Sequence, residues 1–186
     1  MTQALNARYG TLAQTFHWVT AVVVLVAFAM GPEGSEKQIY QPSGDFERQL
    51  HETLGLCVFA LTFLRVLWKK IHTPPQAPPL ARWMELSAKL VQSALYLLLF
   101  AVPLTAIAGA WLEGHPLTLL GGTLIASPVA ISHDLGGAIS NLHTLLGDAI
   151  VWIAGAHALA AIYHQVVLKD EVLSTMLPSW FALWKR

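Results

Sequence analysis

The sequence predicts an all-α protein: a four-helix transmembrane bundle with its N and C termini in the cytoplasm and a C-terminal interfacial helix. Three observations carry this. Apolar residues make up 55% of the chain and charged residues 12%, about half the charged fraction of a soluble domain, and the mean hydropathy is +0.53. Four apolar runs are each long enough for a hydrocarbon core about 30 Å thick, which takes about 20 helical residues. The basic residues are segregated. Arg8, Arg65, Lys69, Lys70, Arg82, Lys89, Lys169, Lys185 and Arg186 lie in or beside the first, third and fifth non-membrane segments, and only Lys37 and Arg48 in the other two. Cytoplasmic loops collect Lys and Arg, so nine against two places both termini inside.

The chain of 186 residues reads as a single membrane domain. Span 1, near Leu12–Gly31, carries His17-Trp18 close to its cytoplasmic end. It has a rival reading as a signal peptide, because Ala27-Phe28-Ala29 resembles a small-residue cleavage site; cleavage there would discard His17. A polar link, Pro32–Gln49, leads to span 2, near Leu50–Trp68. This span opens with His51 and carries Cys57 and Arg65. Cys57 reads as a small core residue. As the single cysteine it cannot form an internal disulfide, and without C-x-x-C-H there is no covalent c-type haem. The third segment, Lys69–Lys89, holds "TPPQAPP", a stiff proline-rich turn. Span 3, near Leu90–Trp111, contains Pro103, expected to kink it. Leu112–Asn141 is glycine-rich and half apolar and is expected to fold over one membrane face. Span 4, near Leu142–Leu168, is followed by the tail 169–186, whose Trp180, Trp184, Lys185 and Arg186 suit a short interfacial helix.

Span 4 poses the chemical question. "LHTLLGDAIVWIAGAHALAAIYH" is almost wholly apolar, yet it holds His143, His157 and His164, spaced by 14 and 7 residues. At about 100° per residue these spacings return to within roughly 40° and 20°, so all three share one stripe. His143 and His157 are then roughly 21 Å apart along the helix axis. His17 lies equally deep below Gly31, and His51 opens span 2. The depths therefore pair His51 with His143 near the periplasm and His17 with His157 toward the cytoplasm. His164, roughly 31 Å down, is too deep to partner His17.

Two histidine pairs on facing helices suit axial ligation of two haem b groups, which need imidazole above and below the macrocycle. Ligation by two histidines leaves no open iron position and favours electron transfer. Gly55 and Gly147 each follow a candidate ligand by one turn and remove a side chain beside it. Arg65, 14 residues after His51, either neutralises a haem propionate or snorkels to the surface. His164 reads either as an interfacial polar residue or as a hydrogen-bond donor to a quinone carbonyl. The plainer alternatives are helix–helix hydrogen bonds and a proton relay without haem. A zinc site would need four converging ligands, which two distant pairs do not offer. His72, His115 and His133 fall in loops and read as surface residues, with His115 and His133 available to a periplasmic docking face. Asp148, about 140° round from His143, has only a bond to a neighbouring helix to suggest. The formal net charge of zero points to no nucleic-acid partner.

"RYGTLAQTFHW", "LHETLGLCVFALTFLRVLW", "LYLLLFAVPLT" and "LHTLLGDAIVWIAGAHALAAIYHQVVLKD" together resemble the bacterial cytochrome b561 family, which is related to the b-type membrane subunits of nickel–iron hydrogenases and formate dehydrogenases. The resemblance covers nearly the whole chain. It implies two non-covalent b haems, an inner-membrane location and electron exchange with quinone, with ligands at His17, His51, His143 and His157. The family position matching His164 is commonly histidine and lies near a quinone in at least one branch. Two departures stand out: Glu52 occupies a position that is often basic, and Gln92 one that is often histidine. One branch oxidises superoxide and reduces ubiquinone. Against that substrate, the expected periplasmic side carries Lys37 and Arg48 against Glu33, Glu36, Asp45, Glu47, Glu52, Glu113 and Asp134, which argues against broad steering of an anion and leaves a local basic pocket at Arg48. The sequence therefore points to electron transfer between a periplasmic donor and the quinone pool. The alternatives are a superoxide oxidase and a haem-bearing anchor for a separate dehydrogenase docked on Leu112–Asn141.

Overall fold

A computed structural model describes residues 8–32, 40, 45–73, 75, 80–170 and 172–178. Helix α1 (Thr11–Ala29) is followed by α2 (Asp45–Ile71), α3 (Arg82–Leu112), a two-stranded hairpin, α4 (His133–Tyr163) and α5 (Val172–Met176). Strand β1 (Leu117–Thr118) pairs antiparallel with β2 (Leu124–Ile125), Leu117 facing Ile125. Gly121 and Gly122 turn the hairpin at φ of 89° and 83°, a region that favours glycine. A π-helical segment, His164–Leu168, continues α4 before the chain turns at Lys169.

Among the described residues, four helices are long and apolar enough to cross a membrane. Within them the backbone bonds to itself, as a medium without water demands. The hydroxyls behave the same way. Thr20 donates to Phe16 O at 2.6 Å, Thr62 to Val58 O at 2.7 Å and Thr105 to Ala101 O at 2.8 Å. Helix α2 adds charge complementarity to its dipole, with Asp45 and Glu47 in its first turn and Lys69 and Lys70 in its last.

The helices overrun the hydrocarbon-length spans. Helix α3 starts at Arg82, and α4 starts at His133. The link expected over Leu112–Asn141 is thus shorter than its composition suggested, and His133 opens a helix instead of sitting in a loop. Of the C-terminal interfacial helix, Val172–Met176 is described. Trp180, Trp184, Lys185 and Arg186 lie outside the described residues, as does Lys37.

The core is small and drawn from every long helix. Val58, Leu98, Leu99 and Ile150 are buried, with Val23, Val24, Leu95, Leu146 and Ile153 packed against them. Large apolar residues such as Leu25, Leu97, Trp152 and Leu159 face outward, where lipid rather than water is the natural solvent. Two sequence expectations fail on this surface. Cys57 is exposed, not a core residue. Asp148 is also exposed and makes no bond to a neighbouring helix among the described residues. Nearness of the apolar stripe to both positions hid this, because a lipid-facing surface is as apolar as a core.

Helices α3 and α4 approach closely at the C-terminal end of α3. A Cβ at Gly109 would fall 2.5 Å from Ser140 Oγ, and one at Gly136 would fall 2.5 Å from Glu113 Cγ and 3.0 Å from Glu113 N. Small residues here set the helix spacing. Gly136→Val is expected to force the pair apart and destabilise the fold by about 1–3 kcal/mol. A lowered thermal midpoint in detergent, with Gly137→Ala nearly unchanged, is the outcome to look for.

Candidate functional site

The structure brings four histidines together in two pairs. His51 on α2 and His143 on α4 have ring centroids 6.0 Å apart, with planes at 82°. His17 on α1 and His157 on α4 are 6.4 Å apart, with planes at 80°. The first pair lies toward the hairpin end of the bundle, beside Gly31. The second lies toward the end that carries Tyr9.

Backbone carbonyls hold both rings of the first pair. His51 Nδ1 donates to Ala27 O at 2.8 Å. Ala27 is in the last turn of α1, where carbonyls lack a helical N–H. His143 Nδ1 donates to Val102 O at 2.9 Å. Val102 lies in the interior of α3, and its carbonyl also accepts from Thr105 Oγ1 at 2.9 Å. A bond from Nδ1 to a carbonyl fixes the tautomer and leaves Nε2 as the nitrogen free to ligate, the usual arrangement of a metal-binding histidine. His17 Nδ1 is buried with no partner.

The donor set fits a planar metal macrocycle. Two imidazoles on opposite sides of one iron, each bonded at about 2 Å, have centroids about 6.3 Å apart. Both observed pairs fall near that value. A Cβ at Gly55, Gly147 or Gly155 would meet nothing within 4 Å, so space is open one turn after His51 and His143. Among the described residues, no three His, Cys, Asp or Glu side chains converge as a smaller metal cluster would need.

Arg65 lies 5.4 Å over the Tyr96 ring, and Lys69 reaches the same ring at 5.3 Å. Tyr9, just ahead of α1, sits close by. Burial pushes its phenol above the usual value, Tyr96 adds to that and Arg65 opposes it. Arg65 is thus at the His17–His157 end, half-buried among aromatic rings. His164 stands apart from both pairs: its Nδ1 is 2.5 Å from Asp170 Oδ2. His72 is exposed and stacks on Trp68 at 3.5 Å. His115 is half-buried and stacks on Tyr40, also at 3.5 Å, so it is not an ordinary surface residue.

Arg48 offers no basic pocket. It is 7% exposed; its guanidinium bonds Asp45 at 2.7 Å and Glu52 at 3.0 Å and lies 5.1 Å over the Tyr40 ring. Glu52 also accepts the Thr118 N–H, and Thr53 Oγ1 accepts the Leu120 N–H at 2.9 Å. The start of α2 therefore latches the hairpin beside His51. At the other end, the tail is clamped to α1. Gln14 Nε2 donates to Thr175 O and Leu177 O at 3.2 Å, and Trp18 Nε1 to Met176 O at 2.9 Å. Sequence reasoning missed Asp170, Gln14 and the Glu52 latch, because each contact joins residues at no regular spacing.

With that geometry in view, similarity to known proteins is informative. Residues 8–179 match the sequence profile described as prokaryotic cytochrome b561. The chain is 29% identical over 171 residues to cytochrome b561 homolog 2 of Escherichia coli K12, covering 91% of each. It is 27% identical to the probable superoxide oxidase CybB of Yersinia pestis, covering 94% of this chain and 98% of that protein. It is 29% identical to cytochrome b562 of Cereibacter sphaeroides, covering 91% and 94%.

Without Glu52, Arg48 keeps only Asp45 as an ion-pair partner among the described residues, and the Thr118 N–H loses its acceptor. Glu52→Ala is expected to destabilise by about 1–3 kcal/mol and to free the hairpin. Faster amide hydrogen exchange at residues 117–120, with α3 unchanged, is the signature.

Proposed function

This chain belongs to the prokaryotic cytochrome b561 family, and from that premise we propose that it holds two b haems and carries electrons between a periplasmic donor and the quinone pool of the bacterial inner membrane. Membrane electron transfer with b-type haem is the activity of the family. In this reading His51 and His143 hold one haem, and His17 and His157 the other. The observation that carries it is the pairing of rings at 6.0 and 6.4 Å at two depths. The segregation of Lys and Arg supports both termini being cytoplasmic, which makes the His17–His157 site the inner one.

Bound haem b supplies an iron that accepts and releases one electron at a time. The chain's own residues do the rest. Ala27 and Val102 hold the His51 and His143 rings by their Nδ1 atoms, so the ligating nitrogens need little reorganisation. The apolar shell of Val23, Val58, Leu98 and Ile150 excludes water between the two sites and keeps the dielectric low. Arg65 and Lys69 supply positive charge where propionate carboxylates need neutralising. His164 offers a polar group to a quinone headgroup at the inner end, and lipid surrounds the outward apolar faces.

A second reading, superoxide oxidation coupled to quinone reduction, is favoured by the name of the Yersinia pestis relative. The engaged charge of Arg48 speaks against attraction of an anion at the hairpin end. A third reading, an anchor for a separate dehydrogenase, would place that partner over the hairpin.

Pyridine haemochrome assay of the purified protein is expected to give two b haems per chain. His157→Ala should lose one and keep the other; full haem content in that variant would remove the pairing. Superoxide generated in the absence of any other donor is expected to reduce the haem only slowly in the principal reading. Reduction near the diffusional limit would select the oxidase instead.

A further inference from the structure

We propose that Asp170 is the positioning residue for proton transfer through His164, the step that completes quinone reduction at the inner end of the bundle. This rests on the reading that electrons leave to a quinone near the His17–His157 pair. It adds a residue that neither the histidine stripe nor the span pattern indicates.

The contact is built by the backbone. Helix α4 ends at Tyr163, and the π-helical segment His164–Leu168 follows. Such wide turns recur at functional sites. Lys169 then adopts φ 56°, a left-handed conformation that a residue with a Cβ disfavours. The reversal carries Asp170 back over the π segment. Its Oδ2 lies 2.5 Å from His164 Nδ1, its Oδ1 accepts the Val172 N–H at 3.3 Å, and its own N–H donates to His164 O at 3.4 Å. The two side chains are 17% and 18% exposed, so the pair is largely sheltered from water.

A carboxylate that accepts from Nδ1–H holds the ring in one tautomer and one orientation, and makes Nε2 the exchanging nitrogen. Nε2 of His164 has no hydrogen-bond partner among the described residues. When the ring is protonated, the pair is an imidazolium–carboxylate ion pair, and the proton on Nε2 is the transferable one. Its titratable neighbours among the described residues of α4, the π segment and α5 are few. Tyr163 lies edge-on at 6.4 Å, Lys169 is the next basic residue along the chain, α5 carries no titratable side chain, and the nearest titratable residue further back on α4 is His157.

Reduction of one quinone takes two electrons and two protons and turns both carbonyls into hydroxyls. The electrons are those that the family's membrane electron transfer delivers, one at a time. One proton passes from His164 Nε2 to a carbonyl oxygen: the N–H bond breaks and an O–H bond forms. The ring is left neutral with its Nδ1–H still on Asp170, and interfacial water returns a proton to Nε2. The second proton comes from water. Asp170 acts only through the ring it holds, which is why it is a positioning and not a catalytic residue.

The test uses haem-loaded protein in detergent, reduced with dithionite and mixed with a short-chain ubiquinone analogue. Haem reoxidation is followed by absorbance, and the His164 ring by nitrogen-15 NMR of histidine-labelled protein, assigned with His164→Ala. Wild type should show Nδ1–H on His164. Asp170→Asn should slow reoxidation at least about tenfold and change the ring's nitrogen signals, because an amide can donate to Nδ1 and favour the opposite tautomer. Asp170→Glu should recover most of the rate, and dithionite-reducible haem should stay the same. A slow His164→Ala beside an Asp170→Asn within twofold of wild type overturns the role of Asp170 alone. Nε2–H without Nδ1–H in the wild-type spectrum does the same, even if the variants lose their haem. Wild-type haem that quinone cannot reoxidise, or a His164→Ala as fast as wild type, overturns the quinone reading underneath.

Discussion

The constraint on which this molecule depends is the absence of water from the interior of a bilayer. A polar atom there must find its partner within the protein. The long helices satisfy their own backbones, and the threonine hydroxyls fold back onto carbonyls one turn earlier. The carbonyls of Ala27, in the last turn of α1, and of Val102, inside α3, are the ones that receive His51 and His143. At Ala27 a carbonyl left over at a helix end thus becomes the anchor of a ring on the next helix. What the histidines keep unspent is a ring nitrogen each, facing a second ring across the bundle at a separation that suits a metal between them.

The two ends of the bundle are built differently. At the hairpin end, a compact network of Arg48, Asp45, Glu52 and the Thr118 N–H closes the bundle with charge matched internally. Glu52 stands where the family resemblance often places a base. Here it both neutralises Arg48 and grips the hairpin, so this departure has a structural use. At the Tyr9 end, by contrast, cationic Arg65 and Lys69 gather over Tyr96, and the tail is bound to α1 by side chains that donate to backbone carbonyls. A closed, charge-balanced end and an end rich in exchangeable groups agree with the proposed proton transfer at the inner face.

Helix α4 links these features. It contributes a histidine to each pair, reaches the hairpin through its close contact with α3, and passes without interruption into the π segment that bears His164. The groups proposed for electron and for proton transfer thus share one continuous helix. The price of this arrangement is a left-handed lysine at position 169, where the chain must reverse to bring Asp170 home.

Much of the architecture was legible in the sequence, because it rests on periodicity and length. The four apolar runs, the stripe of His143, His157 and His164, and the 14-residue spacings are one-dimensional facts that a regular helix converts directly into depth and face. Family membership was legible for the same reason, in motifs that run along the helices. Tertiary structure alone decided which atoms touch. The acceptors of His51 and His143 come from other helices. Arg48 meets Glu52 and the hairpin at once, and Asp170 reaches His164 only through a π turn and a left-handed residue. Cys57 and Asp148 show the complementary failure. In a protein solvated by lipid, core and outer surface are equally apolar, so hydropathy cannot say which way a residue on an apolar helix faces; only the packing of the other helices does.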